Sequence, residues 1–348
     1  MELSFGGIIM NRTFIIAEAG VNHNGDINLA YKLIDAAVEA GVDAVKFQTF
    51  KTEKVLSKSV DKAVYQKNNT GNSENQFDMV KKLELSYDDF IKLNKYCEEK
   101  EIMFLSTPDD EESLNFLSDV IKVPFLKIGS GEITNIPFLK SFAKKNIPLI
   151  LSTGMSNLTE VSKAVDTIYG EGFSNKLYLL HCTTNYPCPY DEVNLKAMQT
   201  LKEAFKVCVG YSDHTLGIEI PIAAVAMGAK VIEKHFTVDK TLNGPDHKAS
   251  LDPNELKEMV KAIRNVEKSI GDGIKKPNKS EIEIRKVVRR VLVSSKDIYK
   301  GSKFDMNSFE IKRANSGILP EYIDILIGKT IIKDIKKDIA FKWEDFLR

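Results

Sequence analysis

IPLILSTGMSNLTEVSKAVDTIYGEGFSNKLYLLHC (147–182) carries the pattern on which the reading of the fold turns. A short apolar run, 147–152, ends in a polar cluster. A segment over 157–170 follows, with apolar residues at three- and four-residue spacing. A second apolar run, 176–182, closes on His181 and Cys182. Near-continuous apolar runs suit parallel strands buried on both faces, and the spacing between them suits an amphipathic helix.

The same unit repeats on both sides. Apolar runs fall at 14–18 (FIIAE), 43–48 (DAVKFQ), 102–106 (IMFLS), 124–129 (PFLKIG), 207–212 (VCVGYS) and 230–235 (KVIEKH), which makes eight with the two above. Helical spacing recurs at 28–40, 86–99, 111–119, 194–205, 217–228 and 254–270. In the first of these, Leu29, Leu33, Ala36, Ala37 and Ala40 form one stripe that Gly41 ends. Eight such units predict an α/β fold, a (β/α)8 TIM barrel over residues 1–272. A doubly wound open sheet is the alternative, but no glycine-rich dinucleotide turn follows the first run. The polar stretch 51–85 reads as a loop with a helix near 74–84, lying over the barrel mouth. After Asp272 the composition shifts. We read 273–284 as a polar linker and 285–348 as a small β-rich domain with runs at 287–293, 309–312 and 330–334.

Lys+Arg and Asp+Glu both number 49, so no net charge draws the chain to nucleic acid or to an anionic membrane. The four cysteines, Cys97, Cys182, Cys188 and Cys208, show no disulfide-framework spacing, which fits a reducing cytoplasm. No apolar run reaches the length of a membrane span. The opening MELSFGGIIM does not read as a signal peptide and is expected to be a frayed leader.

Active sites of such barrels lie at the C-terminal strand ends. Here those ends carry Glu18, then Lys46 and Gln48, Ser106 and Thr107, Lys127 and Ser130, Ser152 and Thr153, His181 and Thr183. The last two carry Ser212, Asp213 and His214, then Glu233 and His235. His214 and His235 close neighbouring strands and can share one divalent metal ion, or they are two ordinary histidines, one in the core and one capping. Lys46 and Lys127, with hydroxyls and the Gly-Ser-Gly of 129–131, describe a phosphate or carboxylate site, although a Schiff-base lysine fits the same residues. Asp26 or Asn28 is a plausible helix cap; His23 is either exposed or capping.

AEAGVNHNGD (17–26), AVKFQTFK (44–51), FLSTP (104–108), KIGSGEITN (127–135), LLHCTTNYP (179–187), GYSDHTLG (210–217) and EKHFTVDKTLNGPDHKAS (233–250) resemble the sialic acid (N-acetylneuraminate) synthase family, the NeuB-like synthases. DIYKGSKFD (297–305) and IKRANSGI (311–318) resemble that family's antifreeze-like SAF domain, a β-clip-like module. The resemblance implies that His214 and His235 bind a divalent metal, Mn²⁺ first, with Mg²⁺ or Co²⁺ as alternatives. It implies that Lys46, Thr107, Lys127, Ser130, Ser152, Asn185 and Ser212 contact phosphoenolpyruvate. Glu18, Gln48, Tyr186 and Asp246 would contact the acylamino sugar or a water on the metal, and Glu132 would be an acid/base near the reacting carbons. Arg313 would reach into the barrel of a partner subunit, which implies a domain-swapped homodimer. Two positions depart from the family pattern: Ala314 stands where proline is common, and Asp109 stands where an aromatic residue commonly follows the STP run.

The activity implied is condensation of phosphoenolpyruvate with open-chain N-acetylmannosamine and water, giving N-acetylneuraminic acid and phosphate. The alternative is N,N'-diacetyllegionaminate synthase, acting on 2,4-diacetamido-2,4,6-trideoxymannose. No nucleotide is required, and no P-loop is present.

Overall fold

The computed structural model describes residues 3–5, 8–10, 12–71 and 74–346. The leader expectation falls partly outside these residues. Within them, β1 (Leu3–Phe5) and β2 (Ile8–Met10) pair antiparallel. Eight parallel strands follow: β3 (Phe14–Gly20), β4 (Ala44–Thr49), β5 (Met103–Pro108), β6 (Leu126–Ile128), β7 (Leu149–Ser152), β8 (Leu177–His181), β9 (Cys208–Asp213) and β10 (Val231–His235). Their order is β5-β4-β3-β10-β9-β8-β7-β6. The sheet curls until its two edges, β5 and β6, lie side by side with no ladder between them, so the barrel is nearly closed.

Helices return the chain on the outside, and their ends are written in the sequence. Asp26, Asn157 and Asp252 cap the helices Ile27–Ala40, Leu158–Gly170 and Pro253–Ile270 by accepting from first-turn amides. Gly41 ends the first of these in the left-handed conformation, at φ 76°. The helix Ile136–Lys145 escapes the periodicity reading because it starts straight after the KIGSGEITN turn, with Pro137 in its first turn. The stretch 51–85 holds three short helices, Thr52–Val55, Val64–Thr70 and Gln76–Lys81, where one was expected. No helix among the described residues is long and apolar enough to cross a membrane.

Strand alternation places the site. Phe14 and Ile16 on β3, Tyr178 and Leu180 on β8, and Cys208 and Val231 on their strands share the barrel interior, a cluster separate from the sheet–helix core. Continuing each strand by two residues carries the interior face from apolar to polar. Ile16 leads to Glu18, Ala44 to Lys46, Leu105 to Thr107, Phe125 to Lys127, Ile150 to Ser152 and Val231 to Glu233. The barrel is plugged below by hydrocarbon and lined above by charge and hydroxyl.

Residues Asp272–Arg348 form a second compact unit with its own core, including Leu292, Phe304, Ile318, Leu326 and Phe341. Here β11 (Arg290–Ser294) pairs antiparallel with β12 (Phe309–Arg313). Two expectations change. A helix, Lys279–Val288, occupies part of the stretch read as linker, with Glu281 completing a capping box at Asn278. The run 330–334 makes only isolated bridges, Thr330 to Lys303 and Ile331 to Phe346, in place of a strand.

Closure demands a bare backbone at Gly210 on β9. A Cβ there would lie 2.3 Å from the Val231 carbonyl oxygen and 2.7 Å from Leu180 Cδ2. Gly210→Ala should therefore destabilise the barrel by on the order of 3 kcal/mol, as a shift in the urea midpoint at constant slope. A midpoint within error of wild type would contradict this account of how β9 and β10 meet.

Candidate active site

Four ionisable side chains meet in the upper interior layer. Lys46 Nζ lies 2.6 Å from Glu18 Oε2 and 3.6 Å from Glu233 Oε2, and Lys127 Nζ lies 3.6 Å from Glu233 Oε1. All four are buried. Hydroxyls complete the layer: Lys46 donates to Thr107 Oγ1 (2.9 Å), Lys127 to Ser152 Oγ (2.7 Å) and Ser212 to Glu233 Oε1 (3.0 Å). Burial would neutralise each group, but the ion pairs decide which one yields. Burial pushes Glu233 up, yet Lys127 and Lys46 outweigh it and hold that carboxylate well below the usual range. Glu18, pushed up by burial and by the facing charge of Glu233, is the carboxyl that takes a proton more readily. Burial lowers Lys127, whereas at Lys46 the attraction of Glu18 and Glu233 overcomes burial.

Above this layer stand the two histidines, their ring centroids 5.8 Å apart. Burial keeps both imidazoles neutral, His235 the more strongly, with His214 adding to the effect. The His214 Nδ1 hydrogen bonds to the Thr183 carbonyl (2.6 Å), which leaves Nε2 with its lone pair. His235 Nδ1 is buried and finds no hydrogen-bond partner among the described residues. The Tyr186 ring packs against both, 4.1 Å from His214 and 5.5 Å from His235. No group of three or more His, Cys, Asp or Glu poised for a metal occurs among the described residues, so an ion on this pair would take its other ligands from water or substrate.

A cavity of about 230 Å³ opens over His235. Gln48, Tyr186, His235, Asp246 and Asp109 line its lower part, and Val55, Leu56, Met79 and Leu83 of the 51–85 segment cover it. Tyr65 packs on Tyr186 (5.3 Å), and Asn69 Nδ2 donates to the Pro245 carbonyl (2.6 Å), so the segment does lie over the mouth. Burial raises Asp246 to about 6. Burial and the neighbouring Glu132 raise Asp109 to about 7 against the pull of Lys46. A larger outer hollow of about 640 Å³ shares only Asp109 with this cavity.

Not every expected residue joins the ring. Ser106, Thr153, His181 and Asp213 have the other strand parity. Ser106 bonds Thr49 (2.7 Å), Thr153 donates to the Leu180 carbonyl (3.0 Å), His181 bonds the Val193 carbonyl (2.7 Å), and Asp213 pairs with buried Lys234. Ser130 accepts from the Gly154 amide (3.0 Å). Asn185 is exposed on the loop after β8. Glu132, half-buried, accepts from Asn135 Nδ2 (2.6 Å) and touches neither lysine. Arg313, in the second unit, is exposed and sits opposite Arg290 in the ladder. Sequence reasoning placed Glu233 in the strand-end ring but gave it no role of its own, although the step Val231–Glu233–His235 puts it on the interior face. His23 is buried, not exposed, and its Nδ1 accepts from the Gly25 amide (3.1 Å).

The NeuB family model matches residues 33–275. The chain belongs to the NeuB family. A SAF domain model matches 289–347 of this NeuB protein. It is 51% identical to the N,N'-diacetyllegionaminic acid synthase of Legionella pneumophila, covering 95% of this chain and 94% of that one. Identity to the Campylobacter jejuni protein of the same name is 52%, covering 94% and 98%. A solved N-acetylneuraminic acid synthetase from Leptospira borgpetersenii superposes with a TM-score of 0.71 at 38% identity, covering 82% of this chain and 95% of that one. This NeuB chain is thus an enzyme of the sialic acid synthase type, a phosphoenolpyruvate-dependent transferase that forms a carbon–carbon bond.

The mouth loops are tied together by a buried histidine. His247 bridges Thr237 Oγ1 (2.7 Å) and Asn24 Oδ1 (3.1 Å), while Asn24 Nδ2 donates to the Asn243 carbonyl (2.9 Å). Burial holds His247 and His23 down at about 4, against 6.5 for a free imidazole. Between pH 4 and 6.5 the unfolded chain binds protons that the native chain refuses, so stability is full above about 6.5 and falls as the pH drops. His247→Gln should lose less stability than wild type between pH 7 and pH 4.5 in urea unfolding. Parallel losses in the two proteins would show that His247 is not neutral in the native state.

Proposed function

We propose that this chain is an N,N'-diacetyllegionaminic acid synthase. It condenses phosphoenolpyruvate with 2,4-diacetamido-2,4,6-trideoxymannose and water and releases phosphate. The near-complete alignment with two proteins of that name at 51% and 52% identity carries the reading. The cavity supports it, because Val55, Leu56, Met79 and Leu83 offer an apolar wall to two acetyl methyls and a 6-deoxy carbon. The N-acetylneuraminate reading, placed first on motif resemblance, is the weaker of the two on these grounds.

Phosphoenolpyruvate is an anion at both ends. Lys46 and Lys127 supply the charge for it, and Thr107, Ser152 and Ser212 supply neutral donors. C3 of the enol attacks the sugar aldehyde, water adds at C2, and phosphate leaves. His214 and His235 would hold the divalent metal, Mn²⁺ by preference, and their neutral rings and the orphaned His235 Nδ1 fit one. When bound, such an ion polarises the aldehyde as a Lewis acid. Glu18, the carboxyl more ready to take a proton, sits where an anion arriving on Lys46 favours its protonation. Glu132 is the second acid/base candidate, at the rim beside Asp109. Gln48, Tyr186 and Asp246 face the sugar.

A phosphate-release panel tests the reading. The enzyme with Mn²⁺ should use the diacetamido sugar at a kcat/KM at least about tenfold above N-acetylmannosamine, and chelation should abolish both activities. Faster turnover of N-acetylmannosamine would overturn the substrate, and full activity after exhaustive chelation would overturn the metal.

We further propose a domain-swapped homodimer in which Arg313 serves the partner's barrel. Family resemblance and the exposure of Arg313 at the end of β12 support this. Mixed dimers of Arg313→Ala and His235→Ala subunits should recover up to about a quarter of wild-type activity, as expected for random subunit exchange. Confirmed exchange with no recovery would show that the arginine does not act across subunits.

A further inference from the structure

Asp109 stands where, by the family resemblance, an aromatic residue is common, and nothing in the fold requires a carboxylate there. Asp110, its neighbour, already caps the following helix by accepting from the Ser113 amide (2.8 Å), and its other oxygen accepts from the Lys51 amide (2.8 Å). The Asp109 backbone is fixed by its own amide, which donates to the Thr49 carbonyl (3.1 Å). Its side chain accepts no hydrogen bond among the described residues and lines the cavity. Leaving a half-buried carboxyl without a donor costs free energy, so a donor arriving with a ligand offsets that cost.

The anion is not that ligand. Phosphoenolpyruvate already has Lys46, Lys127 and the hydroxyls of Thr107, Ser152 and Ser212 for its charge, and the ionised form of Asp109 repels it. The uncharged sugar is the partner that remains. In the strand order, Asp109, just past the end of β5, is three places from His235 on β10, and it lines one cavity with Tyr186 and Asp246. The aldehyde reacts beside the histidines, and the first acylamino group is bonded to the adjacent carbon. The second, two carbons further along, extends away from them.

We propose that Asp109 is a specificity-determining residue that accepts a hydrogen bond from the N–H of the sugar's second acylamino group. The inference rests on the diacetamido-sugar reading above. A carbonyl oxygen is enough for the role, so Asn should replace Asp where Leu cannot.

The test measures kcat and KM for Asp109→Asn and Asp109→Leu in the Mn²⁺-loaded enzyme. The two sugars are the 2,4-diacetamido-2,4,6-trideoxy sugar and its analogue with hydroxyl in place of the 4-acetamido group. Thermal melting and the KM for phosphoenolpyruvate serve as folding controls. Asp109→Leu should lose about tenfold or more in kcat/KM on the diacetamido sugar, mainly through KM, and at most about threefold on the 4-hydroxy analogue. Asp109→Asn should stay within about threefold of wild type on both. Equal losses on the two sugars, or a fall in kcat alone in both variants, overturn the inference and leave the functional reading intact. A wild-type enzyme that rejects the diacetamido sugar and uses N-acetylmannosamine overturns both. Should Asp109→Leu fail to fold, Asp109→Ala, which also lacks an acceptor, is read by the same criteria.

Discussion

Two lysines and two glutamates share a water-poor layer, and neither pair could be there without the other. A lone ammonium at the depth of Lys46 or Lys127 would shed its proton, and a lone carboxylate at Glu233 would gain one. Glu233 faces both lysines, and its negative charge favours the charged form of each against burial. Around this balance the barrel is organised: hydrocarbon below, neutral hydroxyls at the same level, uncharged imidazoles above. An anion drawn to this layer, as proposed for phosphoenolpyruvate, would find side chains already ordered, with their entropy spent in folding and not in binding.

Much of this was legible in the sequence. The eight apolar runs gave the strands to within a few residues, and the polar residues closing them pointed to the mouth. Which of those residues face inward was not legible from the runs alone, because a strand buried on both sides has no polar face to mark its phase. His181 and Asp213 therefore looked like site residues, whereas each serves the helix layer. Counting in twos from the interior Phe14, Tyr178 and Val231 sorts them correctly and brings in Glu233. That count needs the structure to say which phase is interior.

The loops were harder for a different reason. Residues 51–85 have mixed spacing because their three helices are each short and pack on a cavity instead of a continuous core. The turn AEAGVNHNGD looked like helix capping, which Asp26 does perform. Its other polar residues hold the far side of the mouth: Asn22 Nδ2 donates to the Phe236 carbonyl (2.8 Å) and to Ser250 Oγ (2.9 Å). Such partners lie more than 200 residues away and leave no local trace. In the second unit, 330–334 has strand composition but finds only isolated bridges, since propensity without a neighbouring edge makes no ladder.

The one seam without a ladder, between β5 and β6, divides the mouth unequally. Seven of the eight strand junctions are held by backbone hydrogen bonds, which fix the spacing of Glu18, Lys46, Ser152, Ser212 and Glu233. At the remaining junction β5, which leads to Thr107 and Asp109, lies beside β6, which carries Lys127, with no ladder between them. Substitutions on that border can widen or narrow the entrance without breaking a main-chain bond. The laddered arc fixes the lysine–glutamate layer, and the unladdered border leaves the spacing of β5 from β6 to packing alone.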